Sequence, residues 1–190
     1  MAERTDQPEP SQRRLVADRF LAGIEQRAFR MAVMATRHRD EALDIVQDTM
    51  LSWVSHYADH PHETWRPLFY KVLQNRIRDW QRRTIVRRRV MVWFGSGSDG
   101  EDHAGDLLAD IADPVGGDPE NDVANRQTLE RLLRALERLP LRQQQAFLLR
   151  SWEGLDVAET ALAMGCSAGS VKTHLARAMA SLRLSLRDCL

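Results

Sequence analysis

The chain has 190 residues, 43% of them apolar, and its 27 Lys and Arg are balanced by 27 Asp and Glu. That composition excludes a disordered tail protein, and the lack of a long uncharged apolar run excludes a membrane-inserted one. Two cysteines, Cys166 and Cys189, are too few for a disulfide scaffold or a four-thiolate metal site.

Taken in chain order, the neutral total separates into blocks. Residues 1–14 are polar, charged and proline-containing, which predicts a disordered leader without the apolar segment of an export signal, and hence a cytoplasmic protein. Residues 1–65 carry 8 basic and 11 acidic groups, whereas residues 66–94 carry 9 basic groups against the single Asp79. Residues 95–125 hold nine acids and no base, and residues 126–190 hold 10 bases and 6 acids. The basic block attracts polyanions such as nucleic acid, although solvated helix faces in an arginine-rich chain (25 Arg to 2 Lys) look similar. The acidic block is dense in Gly, Pro and Asp, which defeats regular structure and marks a tether.

Both flanking lobes keep helical spacing and neither alternates like a strand. The expected fold is therefore all-α: two small helical domains, residues 15–94 and 123–190, joined by a flexible acidic linker over 95–122. In the first, Phe20, Ile24, Ala28 and Met31 keep a three-to-four spacing. A second helix from near Asp40 carries an apolar stripe of Leu43, Val46, Met50, Trp53, Val54 and Tyr57, expected to face the core. Another side groups Asp44, Gln47, Asp48 and Leu51 into an acidic patch with one apolar member, suited to protein docking or simply solvated. After a loop over Ala58–Thr64, a long helix is expected from about Pro67, a residue that suits a first turn. Phe69, Leu73, Ile77 and Trp80 supply its core stripe. Lys71, Asn75, Arg78 and Arg82 share a face suited to nucleic-acid backbone and base edges. His60 and His62 in the preceding loop lack the fixed spacing of a metal site, so no metal or cofactor is expected.

In the second lobe Leu129, Leu132, Leu133, Leu136 and Leu139 mark an amphipathic helix stopped by Pro140, and another helix runs through Gln143 to Trp152. Asp156 with Glu159 reads as a capping box, Gly165 as a left-handed helix end and Ser167 as the next N-cap. Two short helices joined by such a turn make a helix-turn-helix. Its second helix turns Ser170, Lys172, Thr173, His174 and Arg177 outward, where Lys and Arg can donate to guanine and Thr can meet a thymine methyl. Cys166 in the turn reads as a small packing residue. No constellation of His, Asp, Ser or Cys suggests catalysis, so an enzyme is not expected.

The run Asp44-Ile-Val-Gln-Asp-Thr-Met-Leu, the run Leu68-Phe-Tyr-Lys-Val-Leu-Gln-Asn-Arg, the segment Leu136-Glu-Arg-Leu-Pro and the Gly154–Arg177 helix-turn-helix resemble, in order and spacing, the extracytoplasmic-function sigma factors of bacterial RNA polymerase. The resemblance implies core RNA polymerase and promoter DNA, duplex and single-stranded, as partners, and admits an anti-sigma factor. By the same resemblance Asp44, Gln47, Asp48 and Leu51 dock on the polymerase clamp. The loop around Asp59–Glu63 with Lys71, Asn75, Arg78 and Arg82 opens and reads the minus-ten element, and Ser170, Lys172, Thr173, His174 and Arg177 belong to the minus-thirty-five reader. The acidic linker would thread toward the polymerase active centre. Trp65-Arg-Pro-Leu-Phe69 exchanges large residues relative to the family pattern, which makes Trp65 a packing residue. The rival expectation is a stand-alone helix-turn-helix regulator with a sensor or dimerisation lobe in front.

Overall fold

The computed structural model describes the backbone of residues 10–93 and 119–187, with side chains over 12–87 and most of 127–187; the expected acidic linker lies almost wholly outside these residues. Among the described residues all regular structure is helical. Helices α1 (Pro10–Thr36), α2 (Arg39–Tyr57) and α3 (His62–Trp93) make the first lobe. The second contains α4 (Pro119–Glu137), α5 (Leu141–Phe147) continued by a π turn (Leu148–Trp152), α6 (Val157–Met164) and α7 (Ala168–Leu186).

Three expected boundaries move. Helix α1 begins at Pro10, within the stretch expected to be a disordered leader, and α4 begins at Pro119, within the expected linker. In both cases a proline occupies the first turn, where its missing N–H leaves no bond unmade. Helix α3 begins at His62 and carries Pro67 inside it, so the expected loop shrinks to the residues before His62. The first turn is instead held by Thr64, whose N–H and hydroxyl both donate to the Pro61 carbonyl at 2.9 and 2.7 Å.

The first core is aromatic. Phe20 packs on Trp53 (5.0 Å between centroids) and edge-on to Trp65 and Phe69, while Trp53 meets Trp65 edge-on at 5.1 Å. Trp53 and Phe69 are fully buried, Trp65 nearly so, and Trp65 Nε1 donates to the His60 carbonyl at 2.7 Å. These rings bury large apolar area in the tilted and edge-to-face geometry that aromatic pairs favour. Trp65 is thus a packing residue whose polar atom also fixes the α2–α3 turn.

In the second lobe Leu133, Leu136, Leu149, Leu155, Met164 and Val171 are buried. The caps form as the sequence predicts. Asp156 Oδ1 accepts from the Glu159 N–H and Glu159 Oε2 from the Asp156 N–H, both at 2.7 Å. Gly165 closes α6 at φ 61°, a conformation that a side chain would strain. Ser167 Oγ accepts from the Ser170 N–H at 3.1 Å and starts α7.

The two lobes touch. Helix α3 packs against α6, and buried residues of both lobes join one apolar cluster. Arg37, which ends α1 in the left-handed region at φ 58°, donates from Nη2 to the Glu137 carbonyl at 3.2 Å.

Candidate nucleic-acid interface

Helix α2 presents the first candidate surface. Asp44, Gln47, Asp48 and Leu51 are all exposed, Leu51 at 68%. Leu43 and Val54, expected in the core, are instead 40% and 48% exposed. The apolar stripe of α2 is wider than the surface that α1 and α3 cover, so its edge residues fall outside. Positions 43, 47, 51 and 54 recur at helical spacing and line up as a second, solvent-facing stripe beside the acids. Asp48 is tied across to Arg76 of α3 at 3.9 Å, and the Trp80 Nε1 donates to Glu41 Oε2 at 2.9 Å.

At the α2–α3 turn, Arg13, Val16, Ala58, Asp59, His60, Pro61, His62 and Trp65 line a hollow of about 330 Å³. His60 meets Tyr57 edge-on (5.3 Å) and His62 lies tilted against Trp65 (4.8 Å), so His60, His62 and Trp65 give the hollow an aromatic side, with the Asp59 carboxylate also lining it. Sequence reasoning located this loop but had no means of seeing that α1, through Arg13 and Val16, supplies its far wall. Among the described residues no group of three or more His, Cys, Asp or Glu side chains is placed to hold a metal ion.

Along α3 the four residues of the expected reading face differ in availability. Asn75 and Arg82 are exposed, Lys71 is half-buried, and Arg78 is half-buried beside the second lobe. Arg78 Nη2 donates to Asn75 Oδ1 and Nε to the Gln74 carbonyl at 3.3 Å. Burial, with Arg142 and Arg82 close by, lowers the Arg78 guanidinium below its ordinary range. Three arginines therefore crowd where α3 meets the second lobe.

On α7, Lys172, Thr173 and Arg177 are exposed and His174 is half-buried. Thr173 donates its hydroxyl to the Gly169 carbonyl at 3.0 Å, which occupies that proton within the helix. Ser170 is half-buried and its Oγ lies 2.9 Å from Ser167 Oγ, so this member of the expected set is engaged in the cap. Val171, Ala178 and Leu182 face inward, fixing which side of α7 is presented.

This arrangement, a three-helix lobe with an acidic-apolar face followed by a capped helix-turn-helix, agrees with what the chain is similar to. The family model for sigma-70, region 4, matches residues 129–182, which contain α6, the turn and most of α7. The RNA polymerase sigma factor NccH of Alcaligenes xylosoxydans xylosoxydans is 33% identical over 146 residues, covering 76% of this chain and 73% of that protein. The RNA polymerase sigma factor SigV of Bacillus subtilis is 27% identical over 167 residues, 85% of this chain and 86% of that one. The fold is shared with the sigma factor RpoE of Bartonella quintana, solved in complex with the anti-sigma factor NepR: TM-score 0.63, 20% identity, 90% of this chain and 96% of that chain covered. These relatives match across both lobes, which disfavours a stand-alone regulator with an unrelated front lobe. With its helix order, its region 4 and a sigma-factor relative along most of its length, the chain belongs to the extracytoplasmic-function sigma factors of bacterial RNA polymerase.

Proposed function

We propose that the sigma-factor activity is divided among three faces of the molecule. Residues Asp44, Gln47, Asp48 and Leu51, widened by Leu43 and Val54, dock on core polymerase. Lys71, Asn75, Arg78 and Arg82 read the minus-ten element, with the hollow at His60 and His62 receiving an unstacked base. Lys172, Thr173, His174 and Arg177 read the minus-thirty-five element, and Ser170 sets the start of that helix.

The observation that carries the reading is the exposure of Leu43, Leu51 and Val54 beside two carboxylates on α2. Three large apolar side chains on one narrow stripe are an interface signature, whereas scattered single ones are not. The division is physically economical. An apolar and acidic face repels DNA and suits a protein, while exposed Lys, Arg and Asn suit phosphates and base edges. The hollow's volume and aromatic side suit a single flipped base, whose unstacking is then offset only at sequences it fits. The protein supplies no catalytic chemistry of its own; bond formation belongs to the polymerase, and the complex acts in the cytoplasm. A regulatory protein of the anti-sigma kind, as bound by RpoE, is a fitting further partner.

The test is the Asp48→Ala/Leu51→Ala double variant. Its affinity for core polymerase is expected to fall about tenfold or more, with duplex-DNA affinity of the free chain unchanged, measured by fluorescence titration. Equal loss of both would show that docking and reading are not separate.

A further inference from the structure

Between α4, α5 and the end of α7 the second lobe leaves an apolar groove of about 910 Å³. Leu132 of α4, Phe147 of α5 and Met179, Leu182, Leu184 and Leu186 of α7 line it. Leu184 is 67% exposed, and Leu132, Phe147, Met179 and Leu186 are half-buried, so no described residue closes the groove. A contiguous apolar surface of this kind marks a place where another segment packs. Its rim is basic. Arg183 and Arg187 also line the groove and are exposed, and among the described residues neither has an acidic partner. The occupant that fits is apolar on one face and acidic beside it.

The chain carries such a segment in its own acidic block. Residues 95–125 hold nine acids and no base, and within them stands the run Asp106-Leu-Leu-Ala-Asp-Ile-Ala-Asp113, set between Gly105 and Pro114. At helical spacing Leu107, Leu108 and Ile111 share one face, while Asp106, Asp110 and Asp113, four and three positions apart, fall together on its flank. Asp106 suits an N-cap and Pro114 a stop, which matches a docked helix of about two turns.

The connection is long enough to bring this run back. From Ile111 to Pro119 eight residues reach at most about 26–29 Å. Leu132 lies only about 20 Å along α4 from Pro119, at 1.5 Å per helical residue. The run can return to the level of the groove without unwinding α4.

From these observations we infer that residues 106–113 dock in the groove of the second lobe, seating Leu107, Leu108 and Ile111 on its apolar floor with Asp110 and Asp113 facing Arg183 and Arg187. The inference goes beyond the division of faces proposed above and does not depend on it. Docking takes apolar surface of both partners out of water and pairs part of the acidic block with the basic rim. It leaves only residues 94–105 as the free connection between the lobes. Because the run is tethered, its effective concentration at the groove is on the order of mM, so a contact with an intermolecular Kd of about 0.1 mM is roughly ten times more often made than open.

Hydrogen exchange read by mass spectrometry on the full chain, at several protein concentrations, tests the docking. Amides of 107–113 should exchange about tenfold more slowly than in a free peptide of the same sequence. Leu184→Asp, and separately Arg183→Glu with Arg187→Glu, should return them to the peptide's rate at unchanged helix content by circular dichroism. Adding Asp110→Lys and Asp113→Lys to the arginine reversal should restore the protection. Exchange at the peptide's rate in the wild type, or protection that survives both groove variants, overturns the docking. Loss without rescue by the charge exchange overturns the pairing of these carboxylates with Arg183 and Arg187. Protection of 179–187 that rises with protein concentration while 107–113 exchange freely gives the groove to a second copy. Protection of 179–187 that arises only with added core polymerase, again with 107–113 free, gives it to a polymerase segment, and either result overturns the inference.

Discussion

The two helices proposed to read DNA differ in how their faces are held. The face of α7 is prepared locally: Ser167 caps it, Val171 and Ala178 anchor its back, and Lys172 and Arg177 stand clear of the rest of the molecule. The face of α3 is shared, with Asn75 and Arg82 exposed but Arg78 set against the turn of the other lobe. A reading surface built from one helix and its cap is available as soon as its lobe folds. One that lies beside an interface shares part of its surface, here Arg78, with the other lobe.

The sharpest way to break this contrast is to remove each face in turn. Lys172→Ala with Arg177→Ala should lower duplex affinity of the free chain by about 10- to 100-fold and reduce the slope of log affinity against log salt by about 2. Asn75→Ala with Arg82→Ala should change the free chain's affinity by less than about threefold, yet abolish most promoter opening by the holoenzyme, read by run-off transcription. Similar losses from both pairs in the free chain would erase the distinction. At the level of folding, Trp53→Ala should destabilise the first lobe by about 3–5 kcal/mol, because a fully buried ring in contact with Phe20 and Trp65 leaves a cavity that helices cannot close. The smallest effect is expected at the capping box. Asp156→Ala should cost about 1 kcal/mol, lowering the denaturation midpoint of the second lobe and weakening duplex binding without altering core-polymerase docking.

What could be read from the sequence follows the range of the interactions. The turn between α6 and α7 was legible residue by residue, since Asp156, Glu159, Gly165 and Ser167 act on backbone groups within four residues of themselves. The core of α2 was legible in kind but not in extent. Leu43 and Val54 satisfy the helical period as well as Val46 and Trp53 do, and only the positions of α1 and α3 decide which edge of the stripe is left uncovered. The start of α3 was displaced because Pro67 suits a first turn, while the structure places it one turn later and starts the helix with Thr64 bonded to Pro61. The pairing of the buried Glu153 of the second lobe with Arg66 of α3, 3.1 Å between Oε2 and Nη2, was not legible. Its partner Arg66 is 87 positions away, and Glu153 itself reads as the polar entry to a glycine turn. The basic block was recognised as one polyanion-seeking region, yet Arg66 within it is used to hold the other lobe.

The most direct test is the distance between the lobes with and without polymerase. Donor and acceptor dyes placed at Ser55 of α2 and Ser181 of α7, both exposed, report that distance by energy transfer in the full chain. The packing of α3 against the second lobe predicts high transfer in the free protein, and reading two promoter elements at once predicts a collapse of transfer when core polymerase and promoter DNA are added. Low transfer in the free chain, or high transfer that survives saturating core polymerase and promoter DNA, would contradict it.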